Sequence, residues 1–234
     1  MRAIFRKELS SYFTSLSAYI YLGVFFLLSA YYFVISNLMA GSNSVAEYFQ
    51  NMITTLMFLI PILTMRSFAE EKKLRTDQLL FTLPVKKSSV IAAKMLASYI
   101  IFSIGVLFTV VFAVIISFLG NVDRYTTIGC YIGILAAGTT FIALGVFISS
   151  LTENQTIAAI LTYACLFFLY LISYAADYIT NDFLVQIISS IAIFSRYTDF
   201  TNAVFDPSAI IYYLTLTFAF YEFTLLALTK DKAD

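Results

Sequence analysis

The 234-residue chain contains no histidine, and only 12% of its residues are charged. Without histidine, the chain lacks the usual general base near neutral pH and the commonest protein ligand for metals. An average soluble domain carries about 25% charged residues. A chain this poor in charge cannot cover the surface of a water-soluble domain, so an ordinary soluble protein is excluded.

Three further absences narrow the function. Lys and Arg together number 14, as do Asp and Glu, so no net positive charge would attract nucleic acid. The two cysteines, Cys130 and Cys165, lie in separate apolar runs, which favours small buried side chains over a disulfide framework or a metal site. No Gly-Lys pair occurs, so the chain has no phosphate-binding loop for ATP.

What the chain has instead is apolar length, since 61% of its residues are hydrophobic. Runs of about twenty apolar residues, each long enough to cross a hydrocarbon layer of about 30 Å, occupy 18–38, 50–68, 93–119, 126–149, 155–176 and 208–229. The runs do not alternate as barrel strands do. We therefore predict an all-α integral membrane protein in which residues 1–234 form a single domain with six transmembrane helices.

The distribution of basic residues predicts the orientation. With a cytoplasmic N-terminus, twelve of the 14 Lys and Arg residues lie on the inner side, and only Arg124 and Arg196 lie outside. Positive charge accumulates on the cytoplasmic side of membrane proteins. We therefore predict that both termini are cytoplasmic and that the protein is a multi-pass protein of the cytoplasmic membrane.

Residues 2–16 precede the first span and read as an amphipathic helix. Its apolar face contains Ile4, Phe5, Leu9, Tyr12, Phe13 and Leu16. Its polar face contains mostly Arg6, Lys7, Ser10 and Ser11. This pattern predicts a helix that lies at the cytoplasmic interface of the membrane, the alternative being a plain extension of the first span.

Residues 177–207 form the long outer connection between spans five and six. They place charged side chains around an apolar stretch, 183–194, that is too short to cross the bilayer. We predict a re-entrant or capping segment on the outer face.

The largest cytoplasmic insertion, residues 66–90, begins with charged residues and continues into an apolar patch. The patch contains Leu79, Leu80, Phe81 and Leu83, and Pro84 cannot continue a helix. Thr76 can cap a short helix in front of it. Such a helix would either dock a protein partner in the cytoplasm or lie against the membrane.

The same insertion carries a resemblance to a known family. The segment Met65-Arg66-Ser67-Phe68-Ala69-Glu70-Glu71-Lys72-Lys73, followed by Leu79-Leu80-Phe81-Thr82-Leu83-Pro84, resembles the permease subunits of ABC-2 type transporters, closest to the gliding-motility-associated branch. The resemblance continues at 120–123, 149–155 and 194–196. The family's usual glycine before Thr76 is Arg75 here, which affects the turn into the coupling helix.

The resemblance implies how the protein works. Such permeases dimerise, usually with a second copy and in some cases with a different permease, and dock on two separate ATPase chains that bind ATP and magnesium. This chain is then a non-catalytic subunit with no cofactor of its own. The docking residues implied here are Glu70, Glu71, Arg75, Thr76, Asp77, Gln78, Leu79, Leu80 and Phe81. Export is favoured over import because exporters dominate the family.

One enzyme class also matches a short string of this insertion. The string Glu70-Glu71-x-x-x-Arg75 resembles the first motif of intramembrane CAAX-type proteases. Those enzymes also use histidines, which this chain lacks, and the acidic pair is predicted to lie in a loop. This reading is therefore set aside.

Two aromatic stripes recur at helical spacing within the predicted spans. The first contains Tyr21, Phe25 and Tyr32, and the second contains Tyr163, Phe167, Tyr170 and Tyr174. Aromatic rings suit an amphipathic peptide or lipid-like cargo, so we predict that the stripes line a translocation path. Ordinary packing or lipid contact is the alternative.

Glu222 is the one carboxylate well inside a predicted span, and such residues are often functional. An ion pair with Arg66 or Lys94 on a neighbouring helix is the alternative. Two other functions stay open. A gradient-driven secondary transporter would need more intramembrane charges, and a non-transporting membrane scaffold would need no docking helix.

Overall fold

The computed structural model describes residues 2–76, 86–120, 123–175, 192–202 and 207–230. Every regular element in these ranges is a helix. They are α1 (Arg2–Thr14), α2 (Leu16–Phe33), α3 (Ala46–Thr64), α4 (Ala69–Lys73), α5 (Lys87–Phe108), α6 (Val110–Leu119), α7 (Arg124–Leu151), α8 (Gln155–Ala175), α9 (Ser195–Thr201) and α10 (Pro207–Lys230), with a π-helical extension of α2 at Val34–Met39.

The predicted all-α fold with six spans is confirmed. Six segments are long and apolar enough to cross a membrane, namely Leu16–Met39, Ala46–Lys73, Lys87–Phe118, Arg124–Leu151, Gln155–Ala175 and Pro207–Thr229. Span three begins at Lys87 rather than at 93, because its first helical turn contains polar residues that hydropathy leaves out. The other boundaries lie within a few residues of the prediction.

Helices α3 and α7 form the centre of the bundle. In each of their spans, 72% of the most apolar stretch is buried, against 17% to 33% for the other spans. Helix α7 contacts α3, α5, α8, α9 and α10. Small residues permit this crowding: a Cβ at Gly138 would lie 2.2 Å from Phe102, and one at Gly133 would lie 2.8 Å from Phe200.

Helix α1 is separate from the first span. Ser15 interrupts the helical backbone with an extended conformation (φ −94°, ψ 154°), and α1 packs against α5 and α2. Tyr12 is buried in this contact, whereas Phe13 and Leu16 remain exposed. The apolar face of α1 therefore packs partly on the bundle, and Glu8 is buried with it.

The two ends of the bundle differ in the connections they hold. The Lys94 end holds α1, α4 and the start of α5, and its cluster includes Lys7, Glu71 and Lys94. At the Asp123 end, residues 43–45 line a small cavity with Asp123 and Thr126. Asp123 caps α7, and hydrogen bonds from the Thr126 hydroxyl and the Tyr125 backbone N–H lower the pKa of its carboxyl group.

Two predicted segments fall mainly outside the described residues. The apolar docking patch, with Asp77, Gln78, Leu79, Leu80 and Phe81, lies between the described Thr76 and Lys86. Of the outer connection, the structure describes 192–202, where α9 packs against α7 and α3. The docking helix and the re-entrant or capping segment therefore stay predictions.

Candidate functional site

A buried amine joins three elements at the Lys94 end. Lys94 of α5, 2% exposed, places its Nζ 3.3 Å from Glu8 Oε1 on α1 and 2.9 Å from Glu71 Oε2 on α4. Glu71 Oε2 accepts no hydrogen bond, so its contact with Lys94 is an ion pair only. Since a buried charge is tolerated only when it is paired, Lys94 depends on both carboxylates.

Lys7 closes the cluster on its solvent side. Its Nζ donates to Glu71 Oε1 at 3.2 Å and lies 3.5 Å from Glu8 Oε1. Partial burial lowers the pKa of Lys7, but the two glutamates raise it further, so the net pKa is above its usual value. Two lysines thus neutralise two glutamates contributed by α1 and α4.

Neutral groups seat the cluster on the bundle. The Tyr12 hydroxyl donates to the Leu63 carbonyl oxygen at 3.0 Å and lies 2.8 Å from Ser98 Oγ. The Lys94 amine lies 5.0 Å from the centroid of the Phe68 ring, a cation–π distance. Together these contacts fix α1 to α3 and α5.

A second ion pair lies beside the first. Arg66 donates to Glu70 through Nε and a terminal nitrogen, each at 2.7 Å, which is a bidentate pair one helical turn apart. The same guanidinium donates to Ser17 Oγ at 3.2 Å and so ties span one to the end of span two. The carboxylates of Glu70 and Glu71, predicted to dock a partner, are therefore both paired within the protomer.

The chain leaves α4 through a defined helix cap. Thr76 N–H donates to the Glu71 carbonyl and Arg75 N–H donates to the Lys72 carbonyl, both at 3.0 Å. This pair of bonds is a Schellman motif, which requires a left-handed residue at its penultimate position. Arg75 adopts that conformation with φ 53°. The left-handed turn, which favours glycine, is therefore formed by an arginine here. Arg75 and Thr76 are both exposed.

Ser149 of α7 supports the turn between α3 and α4. Its Oγ accepts hydrogen bonds from the backbone N–H groups of Phe68 (3.1 Å) and Ala69 (3.2 Å), and it donates to the Met65 carbonyl at 3.1 Å. One buried hydroxyl thus satisfies three backbone groups where the helix breaks. The ion-paired side chains of the Lys94 end, together with nearby hydroxyl groups, line a cavity of about 290 Å³.

The two aromatic stripes have different surroundings. Tyr21 and Phe25 are fully buried in the core, so they act there as packing residues, and Tyr32 is half-buried. The second stripe forms a partly exposed ladder on α8, which continues to Phe58 on α3. Its successive ring centroids, in the order Phe58, Tyr163, Phe167, Tyr170 and Tyr174, are 4.8, 5.8, 6.5 and 4.9 Å apart.

Glu222 lies apart from both features. It is half-buried on α10, and neither suggested cation reaches it, because Arg66 pairs with Glu70 and Lys94 pairs with Glu8 and Glu71. The described residues therefore assign Glu222 no role in the Lys94 end.

Sequence reasoning missed two residues of the site. Glu8 falls at a four-residue spacing between Ile4 and Tyr12, so it is an acidic residue on an apolar face. A carboxylate on the apolar face of a helix indicates a buried cationic partner, and this was the sequence signal that could have identified Glu8. Ser149 gave no signal beyond its place in the resembling segment, since a serine in an apolar helix has many roles.

Comparison with known proteins gives one finding across nearly the whole chain. A family model described as "ABC-2 family transporter protein" matches residues 2–229. No curated protein shows significant sequence similarity to the chain. The match begins in α1 and ends in α10, so it includes all six spans and the Lys94 end.

Proposed function

The chain belongs to the ABC-2 transporter family, and we propose that it is the permease subunit of an ATP-driven exporter. The observation that carries the proposal is the Lys94 cluster. It fixes α1, α4 and α5 to one another, and α4 and α5 are the helices on either side of residues 77–85, the segment that would contact the ATPase. A force applied to that segment would then reach three elements at once.

The proposed assembly contains two permeases and two ATPase chains. ATP and magnesium would bind to the ATPase chains, because this chain has no phosphate-binding loop. The second permease is a second copy of this chain, with a different permease as the alternative. The Lys94 end would face the cytoplasm of the cell, as the count of basic residues predicts. A place in the gliding-motility-associated branch stays a prediction from the resemblance.

The proposed docking surface consists of the exposed cap and the apolar patch that follows it. It comprises Arg75, Thr76, Asp77, Gln78, Leu79, Leu80 and Phe81. Glu70 and Glu71 would act indirectly, by holding the cap in place through their ion pairs. The Schellman motif supports this division, because it fixes the direction in which the chain leaves α4.

The proposed path for cargo is the aromatic ladder on α8. Exposed rings in a row give an amphipathic peptide or lipid-like molecule a continuous apolar surface. The ladder spans roughly 16 Å from Tyr163 to Tyr174, at about 1.5 Å per helical residue. It would face the interface with the second permease, where both copies contribute rings.

Co-purification with the ABC ATPase encoded beside the gene tests the proposal. We expect the wild-type chain to retain the ATPase and a Leu79→Asp/Leu80→Asp/Phe81→Asp variant to lose it. The loss follows because three carboxylates cannot enter an apolar cleft without large desolvation costs. The control variant is Lys86→Asp, which adds a carboxylate to the same connection but outside the apolar patch.

The outcome separates the candidate functions. If a folded wild-type chain binds no ATPase, the exporter proposal fails, and a gradient-driven transporter or a membrane scaffold becomes the better account. If the triple variant binds as well as wild type, the ATPase docks elsewhere.

A further inference from the structure

A second cavity opens at the Asp123 end, between α3, α8 and the segment that leads into α9. Its volume is about 400 Å³, within the size range of small-molecule sites. Tyr170, Tyr174 and Phe194 form its aromatic wall, and Gln50 and Thr54 of α3 lie among the residues that complete it. Among the described residues that line it, none carries a charge.

Three of the hydroxyl groups that line this cavity are available only as hydrogen-bond acceptors. The hydroxyls of Thr54, Ser173 and Ser195 donate to the backbone carbonyls of Gln50, Leu169 and Ala192, respectively. Their hydrogens are therefore used, and their oxygen lone pairs are what they offer to a ligand. A ligand for this cavity must supply several hydrogen-bond donors.

Gln50 adds a buried group without a partner. Its Oε1 is inaccessible to solvent and makes no hydrogen bond. Such a group costs free energy until a ligand or a water satisfies it. A hydroxyl both donates and accepts, so it satisfies this amide in either orientation of the side chain. The described lining residues include no carboxylate, so they offer a cationic donor no counter-charge.

The cavity continues into the aromatic ladder through Tyr170, which belongs to both. Tyr170 also meets Phe194 edge to face, with ring centroids 5.3 Å apart. We propose that this cavity binds the uncharged, hydroxyl-rich head of an amphiphile whose apolar tail lies along the ladder of α8. Rings that flank hydroxyl acceptors suit such a head because its C–H faces pack on them while its hydroxyls donate.

A fluorescence titration tests the site directly. The chain has no tryptophan, so Tyr174→Trp places its one tryptophan, which can be excited selectively over tyrosine, at the exposed rim of the cavity. The full chain in lipid vesicles, which add no tryptophan, is titrated with dodecyl glucoside, dodecyl sulfate and dodecylammonium, which share one tail. We expect a saturable signal with the glucoside, at a concentration at least about tenfold lower than with either charged probe, a tenfold difference being 1.4 kcal/mol.

Variants of Gln50 identify the acceptor. Gln50→Leu should weaken glucoside binding about tenfold, whereas the matched change Gln155→Leu, at the opposite end of α8, should leave it unchanged. Gln50→Glu should reverse the preference towards dodecylammonium, because it supplies the missing counter-charge. This second variant keeps the test decisive if Gln50→Leu does not fold.

Three results would overturn the inference: a response that rises linearly, as for simple partitioning; equal affinity for all three probes; or no effect of either Gln50 substitution. The inference rests on the proposed function only where the amphiphile in this cavity is taken to be the cargo of the exporter. The titration contains no ATPase and the co-purification contains no amphiphile, so the two proposals can fail separately.

Discussion

The Lys94 end and the Asp123 end of the same bundle use opposite chemistry. At the Lys94 end, five ion-pair contacts among the described residues involve six side chains from α1, α4, α5 and the turn that precedes α4. At the Asp123 end, the described residues that line the larger cavity are uncharged and supply hydroxyls, an amide and aromatic rings. One end is thus held together by paired charges, and the other has the neutral cavity for which we propose an amphiphile as ligand.

With different chemistry at its two ends, a transport subunit can separate two tasks. Removing one member of a buried ion pair costs far more than the pair gains over an apolar replacement, so such clusters fix geometry. A neutral aromatic cavity holds its ligand through many weak contacts, which can be released stepwise. The contrast therefore predicts that substitutions at the two ends affect different properties.

The largest effect should come from the centre of the charged end. Lys94→Met removes the buried cation and leaves Glu8 and Glu71 with only the more exposed Lys7 as a partner, so the free energy of unfolding should fall by about 3 kcal/mol. Lys73→Met is the matched control, since Lys73 is exposed. Reversible unfolding in mixed micelles measures both. Equal stability of the two variants would show that the cluster does not hold the Lys94 end together.

A smaller loss of stability should distinguish two neighbouring buried serines, Ser149 and Ser150. Ser149→Ala removes the partner of three backbone groups and should cost about 2 kcal/mol in the free energy of unfolding. Ser150 is equally buried but donates only to the Phe147 carbonyl of its own helix, so Ser150→Ala should cost much less. The same unfolding measurement compares them, and a reversed order would contradict the assigned role of Ser149.

The helix cap at Arg75 allows the charged end to be strengthened. A left-handed residue with a Cβ is strained, and glycine is not. Arg75→Gly should therefore stabilise the fold by about 1 kcal/mol, while Arg75→Val should destabilise it. If the Arg75→Gly and Arg75→Val variants unfold at the same temperature, residue 75 is not left-handed in the membrane-embedded protein.

Substitutions in the aromatic ladder of α8 should affect transport rather than stability. Tyr163→Ala combined with Phe167→Ala should change export or cargo-stimulated ATP hydrolysis while the free energy of unfolding changes by less than about 1 kcal/mol. Leu161→Ala combined with Phe168→Ala, both exposed but outside the ladder, is the control. An unchanged transport profile in the ladder variant would reject the path on α8.

The sequence predicted the spans because a continuous apolar run is a property of the chain itself. The resemblance marked Arg75 as a departure from the family's usual glycine, which left the turn there undecided, and the structure shows that the backbone at Arg75 is left-handed. The sequence could not predict the partners of Lys94, because three distant segments must fold together before Glu8 and Glu71 reach one amine. Hydropathy likewise cannot distinguish Tyr21, which is buried, from Tyr174, which is exposed.

We propose that the Lys94 cluster, formed by Lys94, Glu8, Glu71 and Lys7, couples the ATPase to the membrane helices. The most direct measurement is ATP hydrolysis by the ATPase with and without the permease in nanodiscs, for Glu71→Gln and its neighbour Glu70→Gln. Glu71 links α4 to both lysines, whereas Glu70 pairs with Arg66 one turn away. We predict that Glu71→Gln still binds the ATPase but loses most of the permease-dependent change in hydrolysis, and that Glu70→Gln keeps it. Equal hydrolysis in the two variants, with the ATPase bound, would contradict the claim.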